Sequence, residues 1–421
     1  MTAATRTWNG SVSTAWSNPA NWNEGLVPAD GDDVIMTPSA NGTSVNDLPA
    51  GLLLHSITIN HTGMRVSGNA IRLGAGGLTS INRFFVSILS SLLNLEITLA
   101  APQTWQGVDR PEPLQVAPVN LNGQTLRIIS GAFRMYVVSG SGAIVEDGAL
   151  ANSGAFESTW TGPLTVTNGT FTLNGTSGAA AINGGTLSLY AGSPANVTLN
   201  SGTLDVENLS TTGPSHSGSI NIVPSTGAGA NIHIKMSVFN DTADFVTGTI
   251  ALNNARLSLD SSGPPPGGSV LVLFDNDGTD PVAGTFMGLA EGAIVIHAGK
   301  AHVLSYKGGD GNDVTLTTLF PAVTGTITTL ESSANPSEPG DTVTFTATVT
   351  GLSEGNVEFY DGNVLLATIP LDASGRAAIT LPLSAGTHSI VAAYTGTPGF
   401  ATSQSAVVQQ VIPPRRHATR R

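Results

Sequence analysis

The sequence predicts an all-β chain: a right-handed parallel β-helix, or solenoid, followed by an antiparallel β-sandwich. Three observations predict it. Fifty of the 421 residues are glycine and only 11% are charged, so the solvent face must be built from Thr, Ser, Asn and Gly rather than from ion pairs. Lysine is confined to Lys235, Lys300 and Lys307, so neither helix propensity nor i, i+4 charge pairing supports long helices. A Gly-Thr/Ser-apolar-x-apolar unit recurs at Gly169, Gly185, Gly202 and Gly218, at intervals of 16, 17 and 16 residues, and returns at Gly248.

In Gly185-Thr186-Leu187-Ser188-Leu189 the two leucines share one face and Ser188 takes the other, the period of a half-buried strand. The Asn-Gly, Asn-Gly-Gly or Asn-Ser-Gly at the units of Gly169, Gly185 and Gly202 supplies residues that tolerate positive φ at a corner. One such unit cannot bury its apolar face, but a stack of them closes a continuous core. The same grammar, less regular, appears at Ser56-Ile57-Thr58-Ile59, Leu95-Glu96-Ile97-Thr98-Leu99 and Leu126-Arg127-Ile128, and later over 270–274 and 314–316. The expected organisation is an N-terminal cap over residues 1–50 and a solenoid over 51–319. About 16 coils at the ~4.8 Å strand spacing would make an elongated rod roughly 60–80 Å long.

A linker at 320–325 precedes a change of period. Residues 343–349 alternate cleanly, Val357-Glu358-Phe359 leads to an Asp361-Gly362 turn, and 377–383, 388–394 and 407–412 complete a set of short strands. These predict an Ig-like antiparallel sandwich over 326–412, with Tyr394 as a packed corner tyrosine. Residues 413–421 carry four arginines and no acid and are expected as a disordered basic tail.

The formal net charge of −13 argues against nucleic-acid partners and anionic membranes. With no cysteine there is no disulfide framework, thiolate zinc site or cysteine nucleophile. The longest apolar run, 84–95, contains Ser87, Ser90, Ser91 and Asn94, too short and too polar for membrane insertion. The start, Met1-Thr2-Ala3-Ala4-Thr5-Arg6, has no apolar h-region, so export is expected to use a segment removed upstream or another route.

Two resemblances rest on longer motifs. The leading segment Trp16-Ser17-Asn18-Pro19-Ala20-Asn21-Trp22, Leu99-Ala100-Ala101-Pro102-Gln103-Thr104-Trp105, the Asn-Gly-Gly-Thr repeats and the exit segment Tyr306-Lys307-Gly308-Gly309-Asp310-Gly311-Asn312-Asp313-Val314 resemble the passenger regions of autotransporter-associated β-strand repeat proteins and related bacterial β-helical surface proteins. Val357-Glu358-Phe359-Tyr360-Asp361-Gly362 and 385–394 resemble bacterial Ig-like repeat domains. The resemblances imply export, surface display, and adhesion or scaffolding. The chain departs from the autotransporter pattern in lacking a C-terminal membrane β-barrel.

Candidate chemistry is sparse. Gly308-Gly309-Asp310-Gly311-Asn312-Asp313 matches the start of a calcium nonapeptide repeat, but Val314 and Leu316 fall one place out of register and no second copy follows. Asp275-Asn276-Asp277-Gly278-Thr279-Asp280 is acidic enough for calcium, yet its glycine stands fourth rather than sixth as in an EF-hand loop. Asp275, Asp277, Asp280, Asp310 and Asp313 are therefore the calcium candidates, with turns that hold no metal the simpler reading; no other cofactor is expected. Asp30, Asp32 and Asp33 read as a turn and solvated edge. β-Helical hydrolases and lyases place paired acids on one face of adjacent coils. Between the apolar pairs here stand Thr172, Ser188, Asp205, Asn221 and Ala251, a single carboxylate, and His233 reads as an outward strand residue. No HExxH or GxSxG pattern occurs, so no enzyme is expected. Trp8, Trp16, Trp22, Trp105 and Trp160 suit either sugar stacking or, for Trp16 and Trp22, packing in a cap.

The expected function is that of an extracellular or cell-surface structural or adhesive protein, a rod-like spacer with an Ig-like interaction module. Its expected partners are itself or surface glycans and proteins. A self-assembling filament is the specific version, with Val407, Val408, Val411 and Ile412 on a terminal strand free to pair with a neighbour. The competing class is a carbohydrate-binding or carbohydrate-cleaving β-helix, lyase-like or tailspike-like.

Overall fold

The computed structural model describes every residue except 1–2, 38–41, 61–62, 82–90, 108–112, 149–151, 208–218, 223–228, 237–245, 248, 262–267, 277–278, 320–323, 398–399 and 415–421. The fold is all-β, with one 3-10 turn at Pro19–Asn21 and no α-helix among the described residues. Among the described residues no helix is long and apolar enough to cross a membrane. The chain divides into two compact units, Met1–Val197 and Thr198–Arg421.

In the first unit, strands pair in parallel along three ladders. One ladder steps from Thr5–Trp8 to Asp33–Met36, then through 56–59, 77–80, 103–105 and Thr125–Ile128 to Ala143–Glu146, Leu164–Val166 and 180–182. A second runs from Thr43–Asn46 through Arg65–Gly68 to the strand Leu92–Leu99 and onward. The third begins with 52–54 against 71–73 and 97–99. Parallel pairing in this unit is present from Thr5–Trp8 onward.

The 16-residue step holds where the repeat is most regular, with Thr170 beside Thr186, Phe171 beside Leu187 and Leu173 beside Leu189. Elsewhere the step is longer: Thr5 pairs with Asp33 and Leu78 with Trp105. Longer connections between paired strands account for the longer steps. Period-2 alternation carries the core. Val34, Ile57, Leu78, Trp105, Ile128, Glu146, Val166 and Ile182 stand in one buried column across successive rungs. Backbones approach closely at the corners; at Gly77, with φ of +66°, a Cβ would lie 2.1 Å from the Thr104 carbonyl oxygen.

The second unit opens with parallel pairing of 202–207 to 230–235, and of 231–236 to Arg256–Ser261. Gly202 lies beside Ala230, and Ile220 pairs with Ile250, 30 residues on; the repeat copy at 218 falls outside the described residues. Beyond residue 270 antiparallel pairing joins the parallel, which persists between Val246–Thr247 and 275–276. Val270–Asn276 and Lys300–Gly308 flank Asp313–Thr318 antiparallel, and Ile294–His297 pairs back on Lys300–Gly308. Parallel coils were expected through residue 319; a two-residue turn at Ala298 and Gly299, with φ of +47° and +72°, makes a hairpin instead.

The C-terminal module is a sandwich. One sheet holds Thr328–Ser332, Thr342–Val349 and Arg376–Pro382. The other orders Val364–Pro370, Asn356–Asp361 and Gly386–Tyr394, the last edged by Ser403–Gln404 and Val408–Ile412. Alternate residues from both sheets, including Val343, Phe345, Ala347, Val357, Phe359, Ile390, Ala392 and Tyr394, fill one buried core.

Candidate interaction site: the C-terminal module and its seat

Within the second unit the C-terminal module is joined to the residues before it by side chains. Met287 is buried against Tyr360, Val391 and Ala393. The Tyr360 hydroxyl accepts from the Gly288 N–H at 3.2 Å and donates to Glu358 Oε2 at 2.5 Å; burial and the Glu358 carboxylate push the phenol well above its usual range. Gln404 Nε2 donates to the Met287 carbonyl at 2.8 Å, and the Thr402 hydroxyl and N–H both donate to the Ile294 carbonyl at 2.9 Å. The turn after Asp361 is held as well, Asn363 Nδ2 donating to the Asn253 carbonyl at 2.9 Å. Of the expected linker, residues 320–323 lie outside the described residues, while Thr324 accepts from the Ala401 N–H at 3.0 Å.

Inside the sandwich, His388 Nδ1 lies 2.6 Å from Asp361 Oδ2, and His388 Nε2 donates to the Ser384 carbonyl at 2.9 Å. Asp361 Oδ1 accepts from the Ser389 N–H at 3.0 Å. Burial works against a charged imidazole. The hydrogen bonds to Asp361 and Ser384 and the Asp361 charge outweigh it, holding His388 above the usual histidine range. Tyr394 is fully buried, its hydroxyl reaching the Glu354 carbonyl at 3.3 Å and Thr397 Oγ1 at 3.0 Å, as a corner tyrosine does.

The terminal strand Val408–Ile412 carries three of the four assembly candidates; Val407 stands just before it. Ile412 is buried in the core and Val411 is exposed. The strand's outer edge meets the chain's own loop: Asn335 Nδ2 donates to the Gln409 carbonyl at 2.7 Å, Val411 N–H donates to Asn335 Oδ1 at 3.1 Å, and Ser337 N–H donates to the Val411 carbonyl at 3.2 Å. Asn335 thus stands in for a neighbouring strand.

Two antiparallel sheets, one shared core and a corner tyrosine define the module, and a family comparison agrees. Residues 327–412 match the bacterial Ig-like domain (group 3) family. No curated protein matches the chain. Among solved structures, the sulfur carrier protein SoxY from Chlorobium limicola f thiosulfatophilum is similar at 11% identity over 22% of this chain and 87% of that one, with a TM-score of 0.18, a likeness that carries no argument.

Upstream of the Ig-like domain, the calcium candidates divide. Asp313 is buried and Oδ1 accepts from the Asn276 N–H at 2.9 Å; burial raises its pKa, and Asp275 and Asp310 add to the rise. Asp280 contributes its carbonyl, which accepts from Asn276 Nδ2 at 2.6 Å and Asn312 Nδ2 at 3.1 Å. Asp310 is exposed in the turn, Asp275 is half-buried, and Asp277 lies outside the described residues. Among the described residues no three acidic, His or Cys side chains are grouped to hold a metal. In the first unit, Asp32 is buried and bound to Arg6 Nε at 2.8 Å rather than solvated, while Asp33 meets His55 Nδ1 at 2.7 Å.

All five tryptophans are buried, so none offers a ring face to a sugar. Trp22 meets Trp8 and Trp16 edge-on, with ring centroids 5.1 and 5.7 Å apart. Two polar features escaped sequence reasoning. His233 is paired, its Nδ1 lying 3.0 Å from Asp205 Oδ1 on the adjacent strand. Glu146 is wholly buried between Ile128 and Val166. The alternation of Ala143-Ile144-Val145-Glu146, which turns Ile144 and Glu146 the same way, was the available signal for the latter.

Proposed function

We propose that the chain is an extracellular structural or adhesive protein, in which a right-handed parallel β-solenoid acts as a spacer and the Ig-like domain is the interaction module. The observation that carries this reading is the seat of the Ig-like domain. Met287, Tyr360, Thr402, Gln404 and Asn363 join it to the preceding strands by packing and hydrogen bonds, so the module is presented in a defined pose. A domain held this way suits display rather than free tumbling on a tether. The parallel ladders support the spacer, because each rung pairs with the rungs before and after it. Pairing of the terminal strand with a second subunit would require Asn335 and Ser337 to withdraw, so display of the module is preferred here to filament growth through that edge.

Protease treatment of intact producing cells tests the reading. Peptides from residues 342–412 should be released without lysis, and deletion of 327–412 should abolish attachment while leaving the remaining chain exported. Release only after lysis would overturn surface display, and undiminished attachment by the deleted chain would remove the module's role.

A further inference from the structure

Two histidines sit on the hairpin that carries one side of the Ig-like domain's seat. His302 stands opposite Val295 on the edge strand Ile294–His297 and opposite Thr318 on its other side. It is wholly buried: Nδ1 lies 3.1 Å from Thr318 Oγ1, and Nε2 is closed to solvent and makes no hydrogen bond. His297 ends the edge strand, half-buried, with Nε2 2.7 Å from Ser261 Oγ on the strand Arg256–Ser261. The two rings have their centroids 6.3 Å apart. One residue before Val295, the Ile294 carbonyl accepts both the N–H and the hydroxyl of Thr402. The strand that holds Thr402 is therefore packed on a buried imidazole.

The surroundings oppose a charge on either ring. Burial disfavours the His302 cation, and His297 and Lys300 add like charge; the His297 carbonyl is the one group acting in its favour. Burial likewise works against a charged His297, with Asp260 opposing. The other charges of the strands packed here, Asp275, Lys307 and Asp313, lie toward the far end of the sheet, where Gly308 pairs with Asp313, and Glu291 is engaged by Ser305 and Tyr306. We propose that this hairpin is an acid-sensitive latch: protonation of His302 and His297 parts the strand Ile294–His297 from Lys300–Gly308 and frees Thr402, loosening one side of the seat while the Ig-like domain stays folded. Both imidazoles titrate below the usual histidine range in the closed hairpin and near about 6.5 once it opens. The closed form thus has its full advantage above that value and loses it as pH falls below. His388 has the opposite sign, held above the usual range, so acid strengthens the domain's own fold. The contacts of Tyr360 with Gly288 and of Asn363 with Asn253 contain no imidazole and are left in place. The inference goes beyond the display reading, and its failure would leave that reading standing.

The test is hydrogen exchange of the full chain, read by mass spectrometry at about pH 7.5 and about pH 5 and compared as protection factors, which removes the intrinsic pH dependence of exchange. One imidazole whose charging is wholly suppressed in the closed form shifts the opening equilibrium by at most about thirtyfold over that interval. Protection of 292–304 and 402–404 should fall about tenfold at the lower pH, while that of 343–349 should hold or rise. His302→Asn keeps a polar group for Thr318 in place of Nδ1, and His297→Gln keeps one for Ser261 in place of Nε2; neither can charge, and each should cut the fall to about threefold. His297 is the less buried of the two, so His297→Gln keeps the test readable if His302→Asn fails to fold. Protection at 402–404 that does not fall with acid, a matching fall at 343–349, or an undiminished fall in either variant would each overturn the proposal.

Discussion

His388 and Asp361 face each other across two antiparallel strands of the Ig-like domain, with Nδ1 and Oδ2 2.6 Å apart and both side chains buried. Both ring nitrogens have acceptors, Asp361 and the Ser384 carbonyl, so the protonated imidazole is the form this pocket satisfies. The pair ties the end of Asn356–Asp361 to Gly386–Tyr394, the strand on which Val408–Ile412 docks.

Stability of the Ig-like domain should therefore fall toward alkaline pH. The folded-state imidazole titrates above its unfolded value of about 6.5, so its contribution is complete below that value and is lost as pH rises through the raised folded-state pKa. Pulse proteolysis of the full chain in urea should give a lower midpoint at about pH 9 than at about pH 6, with the difference removed in His388→Gln. Asp361→Ala should cost about 3 kcal/mol, because it strands a buried imidazolium. A wild-type midpoint that does not fall between the two pH values would contradict the assignment.

The seat of the Ig-like domain should respond to single substitutions. Met287→Ala removes a fully buried side chain from contact with Tyr360, Val391 and Ala393, an expected loss of about 2–4 kcal/mol. Tyr360→Phe leaves the Gly288 N–H without its acceptor, for about 1–3 kcal/mol. Both should speed hydrogen exchange of 287–289 and 391–393, read by mass spectrometry, while exchange at 343–349 should change far less.

Removing the Asn335 side chain should open an edge. In Asn335→Ala the Gln409 carbonyl and Val411 N–H lose their partners, and the strand Val408–Ile412 offers free backbone groups to another molecule. Light scattering after size exclusion should show concentration-dependent association in the variant beyond that of the unmodified chain. Equal behaviour of the two would mean that Asn335 does not guard the edge.

Gly77→Ala should destabilise the first unit by at least about 2 kcal/mol, since the position combines positive φ with a Cβ aimed at the Thr104 carbonyl. Gly25, also at positive φ but with open space around it, should cost less on the same substitution, and thermal unfolding would compare them.

The clean parts of the sequence correspond to the clean parts of the fold. The alternation over 343–349 became Thr342–Val349, and the Gly169 and Gly185 units stack in the expected register. What misled was continuity of pattern. Residues 270–274 alternate like any coil, and direction along a strand leaves no trace in a period of two. One of the reversals is made at Ala298-Gly299, a pair with less turn character than Asn-Gly, and it went unread. Around His233 the obstacle was distance: Asp205, His233 and Ser258 become neighbours only when strands 25 to 28 residues apart fall into register. The Asn335 contacts were hidden for the same reason, since that loop meets residues more than 70 positions away.

The placement of the tryptophans has a practical consequence. Trp8, Trp16, Trp22, Trp105 and Trp160 all belong to Met1–Val197, and Thr198–Arg421 contains none. Selective excitation of indole emission therefore reports unfolding of the first unit alone, while tyrosine emission is weighted to the second through Tyr306, Tyr360 and Tyr394. One denaturation series, read at two wavelengths, can separate the ladders from the domain they accompany without cutting or labelling the chain.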